Sequence, residues 1–237
     1  MPLPKLNVPK YKMKLPSDGR VVNYRPFLVK EEKLLLLATE TGQTADIITA
    51  IKDIISTCTD IKDVDQLSTF DIEFLFLQIR TKSVGESVDL MVNCPEDGET
   101  TVKVKIPLDD IKVQKTRGHK KELKLSDEVI VNMCYPSLES FVEMNFQDGQ
   151  QVGMEQIFKM AAGCVSSIAT EDEVHDCKEL PQEEIIEFFE GLSSKQFKLI
   201  QDFFDTMPKL KHTVKVVNPN TKKENEIILE GLAAFFE

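Results

Sequence analysis

Two hydrophobic periodicities divide the chain. From Lys30 to Val84, apolar residues return every three or four positions, as on one side of an α-helix. From Val88 to Ile106 they alternate with polar residues, as in a half-buried β-strand. The helical pattern returns after Pro136 and gives way to alternation near the C-terminus. The pattern predicts an α+β fold, with a helical N-terminal section, a central antiparallel β-hairpin region, and a helical C-terminal section ending in a hairpin.

The first helices are marked by composition and by spacing. Good helix formers fill Lys30–Thr39, and Gly42 supplies a stop. The next helix is predicted over Thr44–Ile55, where isoleucines recur at the spacing that buries one stripe. These isoleucines are Ile47, Ile48, Ile51, Ile54 and Ile55.

A third helix is predicted to begin after a cap at Ser68 or Thr69. Asp71 and Glu73 fall in its first turn, where the helix dipole favours anions. This helix is apolar around most of its circumference, which favours a central position in the core. An exposed aromatic docking stripe is the alternative. The apolar positions are Phe70, Phe74, Leu75, Phe76, Leu77 and Ile79.

The central section predicts one clear hairpin. Val88–Val92 and Thr100–Ile106 alternate, and Pro95–Gly98 between them has turn composition. Glu122–Cys134 shows further strand-like alternation. Lys112–Lys124 contains many basic residues and a glycine, and we interpret it as a solvated loop.

The C-terminal section predicts four helices. Two are expected over Ser137–Phe146 and over Val152 to about Ile168. A third begins at Pro181, with acidic residues in its first turn. Ser193 and Gln196 have capping-box spacing and open the fourth helix.

The chain closes with a predicted hairpin. Its strands are Thr213–Val217 and Glu226–Leu229, joined by a turn that contains Asn218 and Pro219. The resulting division of the chain is an extended basic arm over 1–29, a helical section over 30–84, a β-rich section over 85–135, and a mostly helical section over 136–237.

Proline density sets the arm apart. Prolines this frequent exclude helix and favour extended or polyproline-like backbone. Apolar residues between them are too many for a plain solvated linker. The arm either lies across its own domain or adds to a neighbouring subunit, and the sequence leaves both open. The prolines are Pro2, Pro4, Pro9, Pro16 and Pro26.

Composition limits the class of protein. The 237 residues are 41% hydrophobic and 29% charged, as in a globular protein. The longest apolar run, Leu34–Ala38, is far too short for a membrane span, and we expect neither secretion nor a membrane. Five scattered cysteines, an odd number, favour free thiols in a reducing cytoplasm.

Charge is unevenly distributed. Residues 1–30 hold seven basic residues and one acidic residue, a net +6, so with a total of −11 the remainder carries −17. This polarity suits docking between proteins. A nucleic-acid-binding adaptor that uses Lys5–Arg25 and Lys112–Lys124 is the alternative, although the acidic remainder would repel phosphate.

Groups for catalysis or metal binding are few. His119 and His212 look like surface residues, and His175-Asp176-Cys177 looks like ordinary loop sequence, because adjacent residues seldom converge on one substrate. Cys94 lacks the second cysteine that a zinc ribbon would need, since Asp97 stands there. We therefore predict no catalytic, cofactor-binding or metal-binding residues, no small-molecule substrate, and no enzyme.

Four segments of the chain carry a resemblance: Arg25–Lys33, Phe70–Glu86, Met133–Ser137 and Gly231–Phe236. Together they resemble the baseplate hub proteins and hub-assembly proteins of T4-type tailed bacteriophages. The resemblance implies a non-enzymatic part of hub assembly, either a subunit or an assembly chaperone. It implies other phage baseplate hub or tail proteins as partners, and a location in the host cytoplasm with possible retention in the tail baseplate.

Partner contacts are predicted in the first two of these segments and at Tyr24, just before the first. Arg25 is the charge we single out, because it could pair with Glu31 or Glu32 or lie in an interface. On the interface hypothesis, Arg25→Ala weakens complex formation more than it lowers the melting temperature. The predicted partner-binding residues are Tyr24, Arg25, Phe27, Glu31, Glu32, Lys82 and Glu86.

Overall fold

The computed structural model describes residues 7–41, 43–137, 154–231 and 234. The chain forms two compact units, one made of residues 1–114 with 209–237 and the other of residues 115–208. The second unit is therefore inserted into the first. Helices and small antiparallel sheets occur together, which confirms the α+β class.

The first unit contains three helices: α1 (Val29–Thr41), α2 (Thr44–Cys58) and α3 (Thr69–Ser83). The isoleucine stripe of α2 lies against the core as predicted. Ser68 occupies the N-cap position of α3, but its hydroxyl donates to the Asp71 side chain (Oδ2, 2.7 Å) and makes no capping hydrogen bond to the helix backbone. The α3 side chains are largely buried, so α3 is a core helix and the alternative of an exposed aromatic stripe is wrong.

The described part of the N-terminal arm contains a hairpin, so its backbone is extended, the first of the two conformations that the prolines favoured. Its strands are β1 (Tyr11–Lys14) and β2 (Val21–Tyr24). The turn is attached to α3 where the Ser17 N–H donates to Asp71 Oδ1 at 3.0 Å. Beyond β2, the Arg25 N–H donates to the carbonyl of Cys58 at 2.9 Å. The hairpin thus lies on its own unit, the first of the two arrangements that the sequence left open.

Two small sheets contribute to a second hydrophobic core of the first unit, besides the one around α3. One is the predicted hairpin of β3 (Ser87–Asn93) and β4 (Thr101–Pro107), followed by a short 3₁₀ turn at Leu108–Asp110. The other has the order β11-β10-β5, with β5 at Lys112–Gln114, β10 at Lys209–Val217 and β11 at Glu224–Glu230. Their inward side chains include Val88, Leu90 and Val92 from β3 and Leu210, Val216 and Leu229 from β10 and β11.

Strand β5 corrects the prediction of a loop from Lys112 onwards. The strand has only three residues, two of them polar, which is too few to show an alternation of apolar and polar side chains. The strand exists because Gln114 pairs with Lys209 across the point where the second unit is inserted. That partner is distant in sequence, so local pattern could not indicate it.

A network of side chains ties the β3–β4 turn to the β10–β11 turn. Asp97 accepts from the Thr100 hydroxyl at 2.6 Å and from Asn218 Nδ2 at 2.8 Å. Asn218 is 0% exposed. Lys223 Nζ also lies 2.7 Å from Glu96 Oε1. The hydrogen bonds from Thr100 and Asn218 hold the pKa of Asp97 well below its ordinary value of 3.8.

Asp97 is therefore expected to contribute stability that is complete above about pH 4 and is lost as the pH falls through its depressed folded pKa. Asp97→Asn should lose this contribution at neutral pH, and its deficit relative to wild type should shrink as acid protonates the wild-type carboxyl. Chemical denaturation of both proteins between pH 7 and pH 2 measures the difference. Parallel stability curves over that range would contradict the assignment.

The second unit has one four-stranded antiparallel sheet and three described helices. The strand order is β6 (Glu122–Lys124), β7 (Ile130–Met133), β8 (Val165–Ala169) and β9 (Val174–Asp176). The helices are α4 (Met154–Gly163), α5 (Gln182–Glu190) and α6 (Ser194–Thr206).

This unit confirms some predicted boundaries and corrects others. The capping box of Ser193 and Gln196 is present, and α5 follows Pro181. The helix predicted to run to Ile168 ends at Gly163, because the residues after it pair between β7 and β9. The loop predicted around His175 contains β9.

Some sequence predictions lie outside the described residues. They concern residues 1–6 of the arm, 138–146 of one predicted helix, the start of another at Val152, and the tail residues Leu232, Phe235 and Phe236.

Candidate docking surface

A buried ion pair fixes the start of α1. Arg25 Nη2 donates to Glu31 Oε1 at 3.1 Å, and Arg25 Nη1 donates to the carbonyl of Pro26 at 2.8 Å. Glu31 Oε2 accepts the Leu28 N–H at 2.7 Å, and its carboxyl is only 3% exposed. Burial raises the pKa of Glu31, but the hydrogen bonds from Arg25, Leu28 and Lys30 outweigh it and hold the pKa below its ordinary value. Of the alternatives that the sequence left open for Arg25, the structure shows pairing with Glu31.

Tyr24 and Phe27 are also anchors. Both side chains are buried. Tyr24 forms an isolated antiparallel bridge with Thr59, and the Phe27 N–H donates to Ser83 Oγ at 2.9 Å at the end of α3. Together with the ion pair, these contacts fix the position at which α1 begins and its direction relative to the rest of the first unit.

The remaining predicted partner-binding residues are Lys82, Glu86 and Glu32. Lys82 and Glu86 form their own pair at the end of α3, with 4.0 Å between Nζ and Oε1. Glu32 lies half-buried on α1 and belongs to neither pair. The structure thus pairs Arg25 with Glu31 and Lys82 with Glu86, and no ion pair joins the two pairs among the described residues.

One side of α1 presents leucines to solvent. Leu34, Leu36 and Leu37 are 48%, 57% and 49% exposed. Leu28, just before the helix, and Val29, its first residue, are also exposed. We call Leu34, Leu36 and Leu37 the leucine face. Clustered exposed apolar side chains mark interaction sites in soluble proteins, so the leucine face is the candidate docking surface.

The opposite side of α1 explains why these leucines face outward. Glu31 and Ala38 are buried, and Leu35 between them is half-buried. These positions are spaced i, i+4 and i+7, so they form one inward stripe. Four consecutive leucines at 100° per residue span most of a helix, so they could not all reach one core. That run was the sequence signal for the leucine face, which the sequence analysis used only to exclude a membrane span.

The groups considered for catalysis do not converge. Cys177 is buried and its thiol donates weakly to the His175 carbonyl at 3.9 Å, whereas the His175 ring is exposed. All five cysteines are free, as predicted. Burial raises the pKa of Cys58 to about 11 and that of Cys164 to about 12, which opposes thiolate formation. Among the described residues, no group of three or more His, Cys, Asp or Glu side chains is placed to hold a metal ion.

His119 is not the surface residue that the sequence analysis expected. Its ring lies 5.0 Å from the ring of Phe203 and 5.7 Å from that of Tyr135, measured between centroids. Its Nδ1 lies 2.9 Å from Thr206 Oγ1. Burial, together with the nearby charge of Lys121, lowers the pKa of His119. These contacts give His119 a packing role inside the second unit.

A small pocket lies beside the Arg25 junction. Its volume is about 190 Å³, below the roughly 300 Å³ at which ligand sites typically begin. Arg25 contributes to its wall but already donates to Glu31 and Pro26. The leucine face therefore remains the better candidate. The pocket is lined by Lys10, Asn23, Tyr24, Arg25, Thr57, Cys58, Thr59 and Asp60.

Comparison with known protein families identifies the chain. The family model described as T4 bacteriophage base plate protein matches residues 8–237. The chain belongs to this family of T4 bacteriophage base plate proteins. No curated protein and no solved structure matches it.

Family membership confirms the resemblance to T4-type baseplate proteins. A base plate protein is a component of the phage tail and interacts with other baseplate proteins. None of the described helices is long and apolar enough to cross a membrane.

Proposed function

We propose that this base plate protein is a non-enzymatic component of hub assembly, either a hub subunit or an assembly chaperone, and that it acts through protein–protein contacts at the leucine face. The observation that carries the proposal is the exposure of three leucines on one helix of a family member. Burying half-exposed leucines against a partner removes apolar surface from water, which is the main driving force for association.

The junction at Arg25 supports this role by fixing the direction of α1. A docking helix binds more tightly when it is held in its bound orientation before the partner arrives, because less freedom is lost on binding. In this proposal α1 is held in its orientation by Arg25, Glu31, Tyr24 and Phe27. They act on the partner through the position of α1 and not by direct contact.

Leu36→Glu is expected to abolish capture of baseplate proteins from infected cells by a tagged copy of the chain, because it places a charge in the centre of the apolar contact. Mass spectrometry of the captured material gives the yield of each baseplate protein. The matched control is Leu199→Glu, which alters a leucine of α6 that is 36% exposed. Equal loss of capture by both variants, or by neither, would contradict the assignment of the leucine face.

Particles purified from infected cells distinguish a hub subunit from an assembly chaperone. Quantitative mass spectrometry of purified particles should recover a subunit at a fixed ratio to other baseplate proteins. A chaperone should be present in assembly intermediates and absent from mature particles.

A further inference from the structure

The charged residues beside the leucine face indicate which kind of partner it binds. Lys33 and Glu40 are both exposed on α1, seven residues apart. Seven residues are two helical turns, so both side chains lie on the same side of the helix, about 10 Å apart along its axis. Leu36, the most exposed leucine of the face, lies between them.

This arrangement is complementary to itself. If a second α1 lies antiparallel across the first, with a two-fold axis passing between Leu36 and Leu37, then Lys33 of each copy faces Glu40 of the other. The leucines of the two copies meet between these charge pairs. A two-fold interface requires such self-complementarity, because the same patch is used on both sides.

We propose that two copies of this chain associate through antiparallel pairing of their α1 helices at the leucine face. The proposal rests on the proposed function, since it names the occupant of that docking surface. At 100° per residue, Leu36 and Leu37 flank the line through Lys33 and Glu40, whereas Leu34 is turned about 110° away from that line. Each copy therefore contributes two half-exposed leucines, which is a small area even for weak, transient complexes. The expected complex is therefore a reversible dimer whose population rises with protein concentration.

Sedimentation velocity of the full chain over a concentration series is the first test. The wild type is expected to shift from monomer to dimer, and Leu36→Glu to remain monomeric. Leu199→Glu, on α6, should behave as wild type. A monomer at every concentration, or a dimer that tolerates Leu36→Glu, would overturn the proposal.

Charge reversal provides the sharper test. Lys33→Glu opposes Glu40 across the axis at two symmetric places, and Glu40→Lys opposes Lys33 in the same way. Each single variant should dimerise about tenfold more weakly than wild type at low salt. A mixture of the two variants should recover the wild-type affinity, because both contacts in the mixed dimer then join opposite charges. Failure of the mixture to recover would reject the antiparallel register.

Circular dichroism of each variant controls for folding, since all four changed side chains are exposed. The outcomes also separate this proposal from the proposed function. Loss of baseplate-protein capture by Leu36→Glu without any wild-type dimer would leave the docking role intact and reject the second copy as occupant. A dimer that Leu36→Glu abolishes while capture persists would support self-association and reject the leucine face as the baseplate contact.

Discussion

Arg25→Ala is expected to lower the free energy of unfolding by about 3 kcal/mol. Arg25 Nη2 lies 3.1 Å from Glu31 Oε1, and the Arg25 and Glu31 side chains are 18% and 3% exposed. Removing the arginine leaves a buried carboxylate without its main partner, which costs more than the loss of one surface ion pair. We place the effect at the low end of the range for buried pairs because Lys30 Nζ still lies 3.3 Å from Glu31 Oε1. Chemical denaturation gives the value.

Two further variants make this measurement specific. Lys30→Ala also removes a cation beside Glu31, but Lys30 is 69% exposed, so about 0–1 kcal/mol is expected. Replacing the pair by apolar residues, in Arg25→Met with Glu31→Leu, should recover much of the loss because no buried charge remains. This ranking reverses the expectation from sequence. If Arg25→Ala were as stable as wild type but formed complexes more weakly, the interface hypothesis for Arg25 would be correct instead.

Elements defined by local pattern could be predicted from the sequence. The stripe of α2, the start of α3 after Ser68 and the alternation of β3 depend on residues a few positions apart. The capping box at Ser193 is of the same kind. In each case the physical cause, one buried face or one terminal hydrogen bond, is contained within the segment itself.

Elements defined by distant partners could not be predicted. Strand β5 exists through β10, and β8 exists between β7 and β9. Judged from its local pattern, the short segment Val165–Ala169 could continue the preceding helix. Gly163 was the single sequence signal that the helix ends there and a strand follows. The insertion of one unit between Gln114 and Lys209 likewise depends on a pairing that spans the whole inserted unit.

The candidate site was predicted in part. The sequence analysis selected the segment around Arg25 and Glu31, and the structure shows why these residues belong together. It did not select the leucines a few positions later, because an apolar run in a helix ordinarily indicates core. Whether such a run is buried depends on which neighbours cover it, and the described neighbours of α1 cover the stripe that includes Glu31 and Ala38 but leave Leu34, Leu36 and Leu37 half-exposed.

Phe203→Ala is expected to lower the stability of the second unit by about 4 kcal/mol, as large-to-small changes of buried aromatic residues do. Phe203 is 1% exposed, and its ring centroid lies 5.0 Å from that of His119 and 5.8 Å from that of Tyr135. Removing it opens a cavity and leaves both neighbouring rings without their shared contact. Hydrogen exchange of the β7 and β8 amides under denaturant measures the change within this unit.

The adjacent Phe204 is the matched control for this prediction, because it has the same side chain on the same helix but is only half-buried. Phe204→Ala should cost clearly less, since less apolar surface is lost and the space left can fill with water. The ranking tests the packing role assigned to His119 as well, because the cost of Phe203→Ala includes its contact with that ring. Equal costs for the two variants would mean that the stack of His119, Tyr135 and Phe203 does not hold the second unit together.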